Sequence, residues 1–159
     1  MTHIYRILVA TDFGETSQAA LIKAKELANA FHAELQVLHV IDDPYDFAGP
    51  IPRYLPEADT FRQALKDAAN AELDLTLTRE EVTLYRATLS LCIGRPAAEI
   101  VRYAKDRRID LIVIGTHGRG PVWHMLLGSV AENVVRHAHC PVLTTRNLPA
   151  INATPATTV

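Results

Sequence analysis

Leu111-Ile-Val-Ile-Gly-Thr-His-Gly-Arg-Gly120 is the stretch whose reading decides the fold. Four consecutive apolar residues after Asp110 show no polar alternation, which is what a strand covered on both faces requires. The run opens straight into a glycine-rich loop. Beyond it, a helix is expected from Gly128-Ser129, with Val130, Val134, Val135 and Ala138 on its buried side. This strand is the most hydrophobic in the chain, so it is expected at the centre of a sheet, beside the first strand.

Working outward, Ile4 to Ala10 is a second near-continuous apolar run, broken at Thr11-Asp12-Phe13-Gly14. Thr16 or Ser17 is expected to cap a helix that buries Ala20, Leu21, Ala24, Leu27, Ala28 and Phe31. Leu35 to Ile41 reads as the second strand and stops at Asp42-Asp43-Pro44. From Asp42 to Pro56, four prolines, Gly49 and the rings of Tyr45, Phe47 and Tyr54 predict an extended surface loop, long enough for a lid. Helical spacing returns over Glu57 to Glu81, and a third strand is expected from Leu84 to Cys92. Gly94-Arg95-Pro96 then starts a helix carrying Ala97, Ile100, Val101 and Ala104 inward, ending in the basic group Lys105 to Arg108. Pro141 to Thr145 makes a fifth strand, and the Ala/Thr/Pro-rich tail is expected to be mobile.

Five strands alternating with helices demand parallel neighbours and right-handed crossovers. The expected fold class is therefore α/β: one doubly wound, Rossmann-like domain over residues 1–146, with a five-stranded parallel sheet in the order 3-2-1-4-5, helices on both faces, and a tail over 147–159. Ligands bind such sheets at the carboxyl ends of the strands, where the order reverses. Here that point lies between strands one and four, where Ala10 to Gly14 meets Gly115 to Gly120.

Composition narrows the function classes. A chain of 159 residues with 48% hydrophobic and 21% charged residues suits a single domain with its own core. No apolar stretch approaches the roughly 20 residues of a bilayer span, and the first residues carry no secretory leader pattern. Cys92 and Cys140 form neither a CxxC pair nor a disulfide framework, which fits a reducing cytoplasm. Sixteen basic against eighteen acidic residues leave a formal charge of −2, without the footprint of a nucleic-acid or membrane-surface binder.

The chemistry concentrates between Gly115 and Ser129, where the pattern is G-x-x-G, nine residues, G-S, filled by Gly115, Gly118, Gly128 and Ser129. Glycines at the first two positions allow backbone to approach a ligand, and Gly128-Ser129 opens a helix whose amides and dipole suit phosphate. Ser129 can donate to a phosphate oxygen, or simply cap the helix. Other phosphate and nucleophile motifs fail. No glycine precedes a lysine as a Walker loop needs, Gly118-Arg-Gly120 is followed by Trp123 where a dinucleotide fingerprint needs its third glycine, and no GxSxG elbow occurs.

This glycine pattern, preceded by Leu-Ile-Val-Ile and followed by Val130-Ala-Glu-Asn-Val-Val-Arg-His-Ala-His-Cys-Pro-Val-Leu143, resembles the universal stress protein family. Arg6 to Ser17 and Leu38-His-Val-Ile41 resemble its opening and adenine-side strands, so the likeness covers nearly the whole chain. It implies a homodimer that binds ATP, with Ala10, Thr11 and Asp12 on the nucleoside side and Asp12 near the ribose or a Mg2+ ion carried with the nucleotide. It places Val40 against adenine and puts Ile114, Gly115, Gly118, Gly128, Ser129 and Val130 around phosphate and sugar, with Arg119 a further phosphate partner. The segment Gly120-Pro-Val-Trp-His124 departs from the family's small and basic residues there. AMP or another adenine nucleotide satisfies the same pattern.

Other residues carry two readings. Asp12 can cap its own turn through Gly14, yet its place at the switch point favours ligand or metal contact. His117 sits between motif glycines, where a solvated side chain is the commoner role than a base. His137 and His139 lack companions for a metal shell, and His39 reads as a hydrogen-bonded sheet residue. Trp123 serves either as a stacking surface or as a loop anchor, and Arg107 and Arg108 as a solvated helix end. The last strand leaves an edge that a second copy could pair along Pro141 to Arg146, or the tail could cover. The expected function is a cytoplasmic nucleotide-dependent stress regulator with no catalytic residue assigned. The rivals are a slow Mg2+-dependent ATPase or nucleotidyl transferase working through Asp12 and His117, and a dimeric protein-binding module recruiting a partner through the proline-rich loop.

Overall fold

A computed structural model of the chain describes residues 3–42, 56–116 and 128–146. The strands are β1 (Arg6–Thr11), β2 (Glu34–Ile41), β3 (Thr88–Ile93), β4 (Leu111–Gly115) and β5 (Val142–Thr145). The helices are α1 (Glu15–Phe31), α2 (Pro56–Asp74), α3 (Arg79–Leu84), α4 (Pro96–Asp106) and α5 (Ser129–His137). All strand pairs are parallel and the order is β3-β2-β1-β4-β5, as expected, with Ala10 opposite both Leu38 and Ile114.

Two cores explain why the central strands are apolar on both faces. Ile7, Val9, Leu35, Val37 and Val113 pack under Ala20, Leu21, Ala24 and Ala28 of α1 and Leu73 of α2. On the other face, Leu8, Leu38, Ile112 and Ile114 meet Ile100 and Ala104 of α4 and Ala131 and Val134 of α5. Ile7, Leu8, Leu38 and Ile112 are fully buried, a burial that contributes about 1.5–3 kcal/mol for each such side chain. The second core holds one polar chain. Tyr103 on α4 donates to Gln36 Oε1 on β2 at 2.8 Å and lies 2.9 Å from Ser90 Oγ on β3, with Arg107 stacked over its ring.

Three expectations about boundaries are corrected. The helical spacing over 57–81 is two helices: α2 ends at Asp74, and α3 begins after Thr78, whose hydroxyl accepts from Glu81 N while Glu81 accepts from Thr78 N. This reciprocal capping restarts the helix after a break. The third strand consequently begins at Thr88 rather than Leu84, which ends α3 with its side chain exposed. The first helix starts after Gly14, with Thr16 and Ser17 inside its first turn. The tail, most of the proline-rich loop and residues 117–127 lie outside the described residues, as do the lid and mobility expectations attached to them.

Candidate functional site

A cleft of about 160 Å³ opens at the carboxyl ends of β1, β2 and β4, the predicted switch point. Ala10, Leu38, Val40 and Ile114 make its apolar floor from three neighbouring strands, and Pro96 and Ile100 of α4 close one side. Gly128, Val130 and Ala131 bring the start of α5 to the opposite side, while Thr11, Asp12, Ser17 and Thr116 supply side-chain oxygens. A flat apolar wall facing a polar rim suits a ligand with a planar ring at one end and charged groups at the other.

Helix starts set the electrostatics of that rim. α1, α4 and α5 have Gly14, Arg95 and Gly128 as N-caps, none of which caps its helix through its own side chain. Their dipole ends favour an anion, offset in part by Glu15, Glu99 and Glu132 in the three first turns. α3, remote from this rim, carries the complete capping box. Among the described residues no group of three or more His, Cys, Asp or Glu could hold a metal ion. A single carboxylate at the cleft, that of Asp12, suits a cation such as Mg2+ that stays partly hydrated and is held chiefly by a ligand's phosphates.

Of the residues expected at the site, Ala10, Thr11, Asp12, Val40, Ile114, Gly115, Gly128 and Val130 line the cleft. Ser129 is exposed at the first position of α5 and does not line it. The alternative that Ser129 is the N-cap is corrected, because Gly128 takes that position and donates its N–H to the Thr116 carbonyl. Gly118, Arg119, His117 and Trp123 lie outside the described residues. Gly115 lines the cleft and has a packing role besides the one its motif suggested. A Cβ there would stand 2.9 Å from the carbonyl carbon and oxygen of Thr16, so the missing side chain lets α1 approach β4. His39 does serve as a sheet hydrogen-bonder, its Nδ1 lying 2.8 Å from the Thr11 carbonyl oxygen.

Sequence reasoning missed Ser17, Leu38, Pro96, Ile100, Thr116 and Ala131 as lining residues. Signals existed for some of them. Leu38 is two residues before Val40 and so on the same sheet face, and Ser17 precedes Ala20, Leu21 and Ala24 on the buried face of α1. Ser17 is buried, donating to the Gly14 carbonyl at 2.9 Å and lying 3.2 Å from Thr11 Oγ1. Asp12 Oδ1 accepts from Gly14 N at 3.0 Å, so the turn-capping role is present in a residue that also lines the cleft. Neither cysteine looks like a nucleophile. Burial, then Glu99, pushes the Cys92 thiol up, and burial, then Asp110, does the same for Cys140.

Comparison with known proteins places this geometry. Universal stress protein MJ0531 of Methanocaldococcus jannaschii is 34% identical over 141 residues, covering 87% of this chain and 79% of that one. Universal stress protein MJ0577 of the same organism is 31% identical over 150 residues, covering 87% of this chain and 92% of that one. The solved structure of MJ0577 superposes with a TM-score of 0.76 at 28% identity, over 94% of this chain and 100% of that chain. A universal stress protein solved in complex with cAMP superposes with a TM-score of 0.62 at 25% identity, over 90% of this chain and 97% of the other. Among the described residues no helix is long and apolar enough to cross a membrane. The model of the universal stress protein family matches residues 3–146, and with that span, the strand order and these relatives together, the chain belongs to the universal stress protein family.

Proposed function

We propose that the cleft binds an adenine nucleotide, ATP foremost, and that the loaded state acts as a cytoplasmic stress signal with little turnover. One observation carries this reading: an apolar strand floor at Val40 and Ile114 lies beside the starts of α4 and α5 and the Asp12 carboxylate. The floor suits a base, the helix starts suit phosphates, and Asp12 suits the ribose or a phosphate-held Mg2+. The relative solved with cAMP supports the adenine class. Ser129, Gly118 and Arg119 complete the phosphate side in this reading. A second copy pairs along the open edge of β5, where Leu143 and, on the neighbouring α5, Val135 are exposed.

The test is to purify the protein without added nucleotide, release any ligand by denaturation and identify it by chromatography, then titrate stripped protein with ATP calorimetrically. Binding of ATP that weakens in Gly118→Val and Ser129→Ala is expected, with a particle of twice the chain mass by light scattering. No heat with ATP, AMP or cAMP would overturn the reading. The enzyme alternative is decided on the same samples: magnesium-dependent ADP release that disappears in Asp12→Ala would establish turnover.

A further inference from the structure

The turn that carries Asp12 is held from the sheet face away from the cleft floor. His39 stands opposite Thr11 in the β1–β2 register, between Leu38 and Val40, whose side chains line the cleft. Its Nδ1 lies 2.8 Å from the Thr11 carbonyl oxygen, and because a carbonyl only accepts, that nitrogen carries the hydrogen. The same ring packs on Phe13, with centroids 4.3 Å apart and a tilt of 32°.

Phe13 has φ 63, and its setting is unlike that of the other left-handed residues. His32, Arg86 and Arg108 also have positive φ, but each closes or follows a helix C-terminus, where that conformation is customary. Phe13 precedes a helix, and the glycine beside it keeps an ordinary φ of −84. The chain thus places a bulky residue in the conformation a glycine would adopt freely, one position from a glycine that does not use it. The ring packs against the core under α1 as well as on His39. What the left-handed turn does is direct Phe13 N to Thr11 Oγ1 at 3.0 Å and Gly14 N to Asp12 Oδ1 at 3.0 Å, with Asp12 at the cleft.

We propose that His39 and Phe13 are positioning residues that hold the Thr11–Gly14 turn strained so that Asp12 is fixed for the ligand before it binds. This rests on the nucleotide reading above. The two readings are separated by pairing ATP calorimetry with amide hydrogen exchange on ligand-free protein, using His39→Phe, which keeps a ring but loses the donor, and Phe13→Gly, which removes the ring and the strain. In both variants the Phe13 and Gly14 amides are expected to exchange at least about fivefold faster, the scale of one net hydrogen bond. ATP affinity is expected to fall by a similar factor, while the urea midpoint of Phe13→Gly also falls, because the ring leaves the core under α1 and glycine frees the unfolded chain. A purely structural role predicts a lower midpoint with affinity intact, and intact affinity would overturn the proposal. Unchanged exchange at Phe13 and Gly14 would overturn it as well, whatever the ligand. Failure of the wild-type protein to bind ATP would refute the nucleotide reading alone, leaving the exchange data to judge the clamp. If His39→Phe does not fold, Phe13→Gly carries the same comparison.

Discussion

Replacing Gly115 with alanine separates two accounts of a motif glycine. The added Cβ would stand 2.9 Å from Thr16 C and O and 3.1 Å from Thr16 Cβ. Two of those atoms belong to the peptide group of a helix first turn, so they cannot swing aside as a side-chain end would. Relief must come from moving α1 off β4 or bending the end of β4, and overpacking of this kind costs about 1–3 kcal/mol. For a domain of this size each kcal/mol lowers the midpoint of thermal unfolding by about 2–4 °C, so a loss of about 4–8 °C is expected at the middle of that range. The measurement is thermal and urea unfolding of stripped protein, with Ser129→Ala as the control. Ser129 is exposed and makes no side-chain cap, so its truncation should leave stability within about 0.5 kcal/mol of wild type. If Gly115→Ala melts with the wild type in the absence of nucleotide and loses only ATP affinity, the glycine serves ligand approach and the packing account is wrong.

Two further outcomes follow from groups away from the cleft. Glu81 joins α3 to α1, its carboxylate accepting from Lys25 Nζ at 2.6 Å and from Thr78 N at 2.9 Å, and these bonds hold its carboxyl below the ordinary value of 4.5, the Lys25 bond foremost. A depressed folded pKa gives stability that is fully present above the unfolded value and is lost as pH falls through the folded one. Urea midpoints from pH 7 down to 3 should therefore fall less steeply below about 4.5 in Glu81→Gln than in wild type, and parallel curves would remove Glu81 from the acid response. Tyr103→Phe leaves Gln36 Oε1 and Ser90 Oγ without their phenol partner at a mostly buried site, and should cost about 1–3 kcal/mol in urea unfolding, a loss below 0.5 kcal/mol refuting the network.

Legibility in the sequence followed the physics of each element. β1 and β4 were readable because strands buried on both faces must be apolar without alternation, and Ile7 to Ala10 and Leu111 to Ile114 are. Their junction, and hence Asp12 and Gly115, followed from topology, whereas Val40 came from the family resemblance. The break between α2 and α3 was written in Thr78-Arg-Glu-Glu81, a capping signature that the continuing apolar spacing concealed. Leu84 reads as a strand residue by composition, yet it lies outside the core on a six-residue helix. The packing role of Gly115 was not legible at all, since nothing local says that residue 16 will lie against residue 115. The conformation of Phe13 was hidden likewise, because preference assigns φ 63 to Gly14, and the contacts of the Phe13 ring with His39 and the core under α1 are not local in sequence.

The contrast between α3, capped by a side chain, and α1, α4 and α5, whose N-cap side chains make no such bond, has a consequence for how this surface can evolve. Each start presents about half a positive charge made of peptide groups, set against the glutamate that stands in its first turn, Glu15, Glu99 or Glu132. A charge of that origin has no codon. Truncating side chains one by one through the first turns cannot delete it, so an alanine scan would pass over it in silence. It can only be offset, as the first-turn glutamates already do in part, or more strongly by an acidic residue introduced where Gly14, Arg95 or Gly128 now stands. The rim's polarity is thus inherited with the winding of the chain, leaving the side chains free to diverge over which anion they receive.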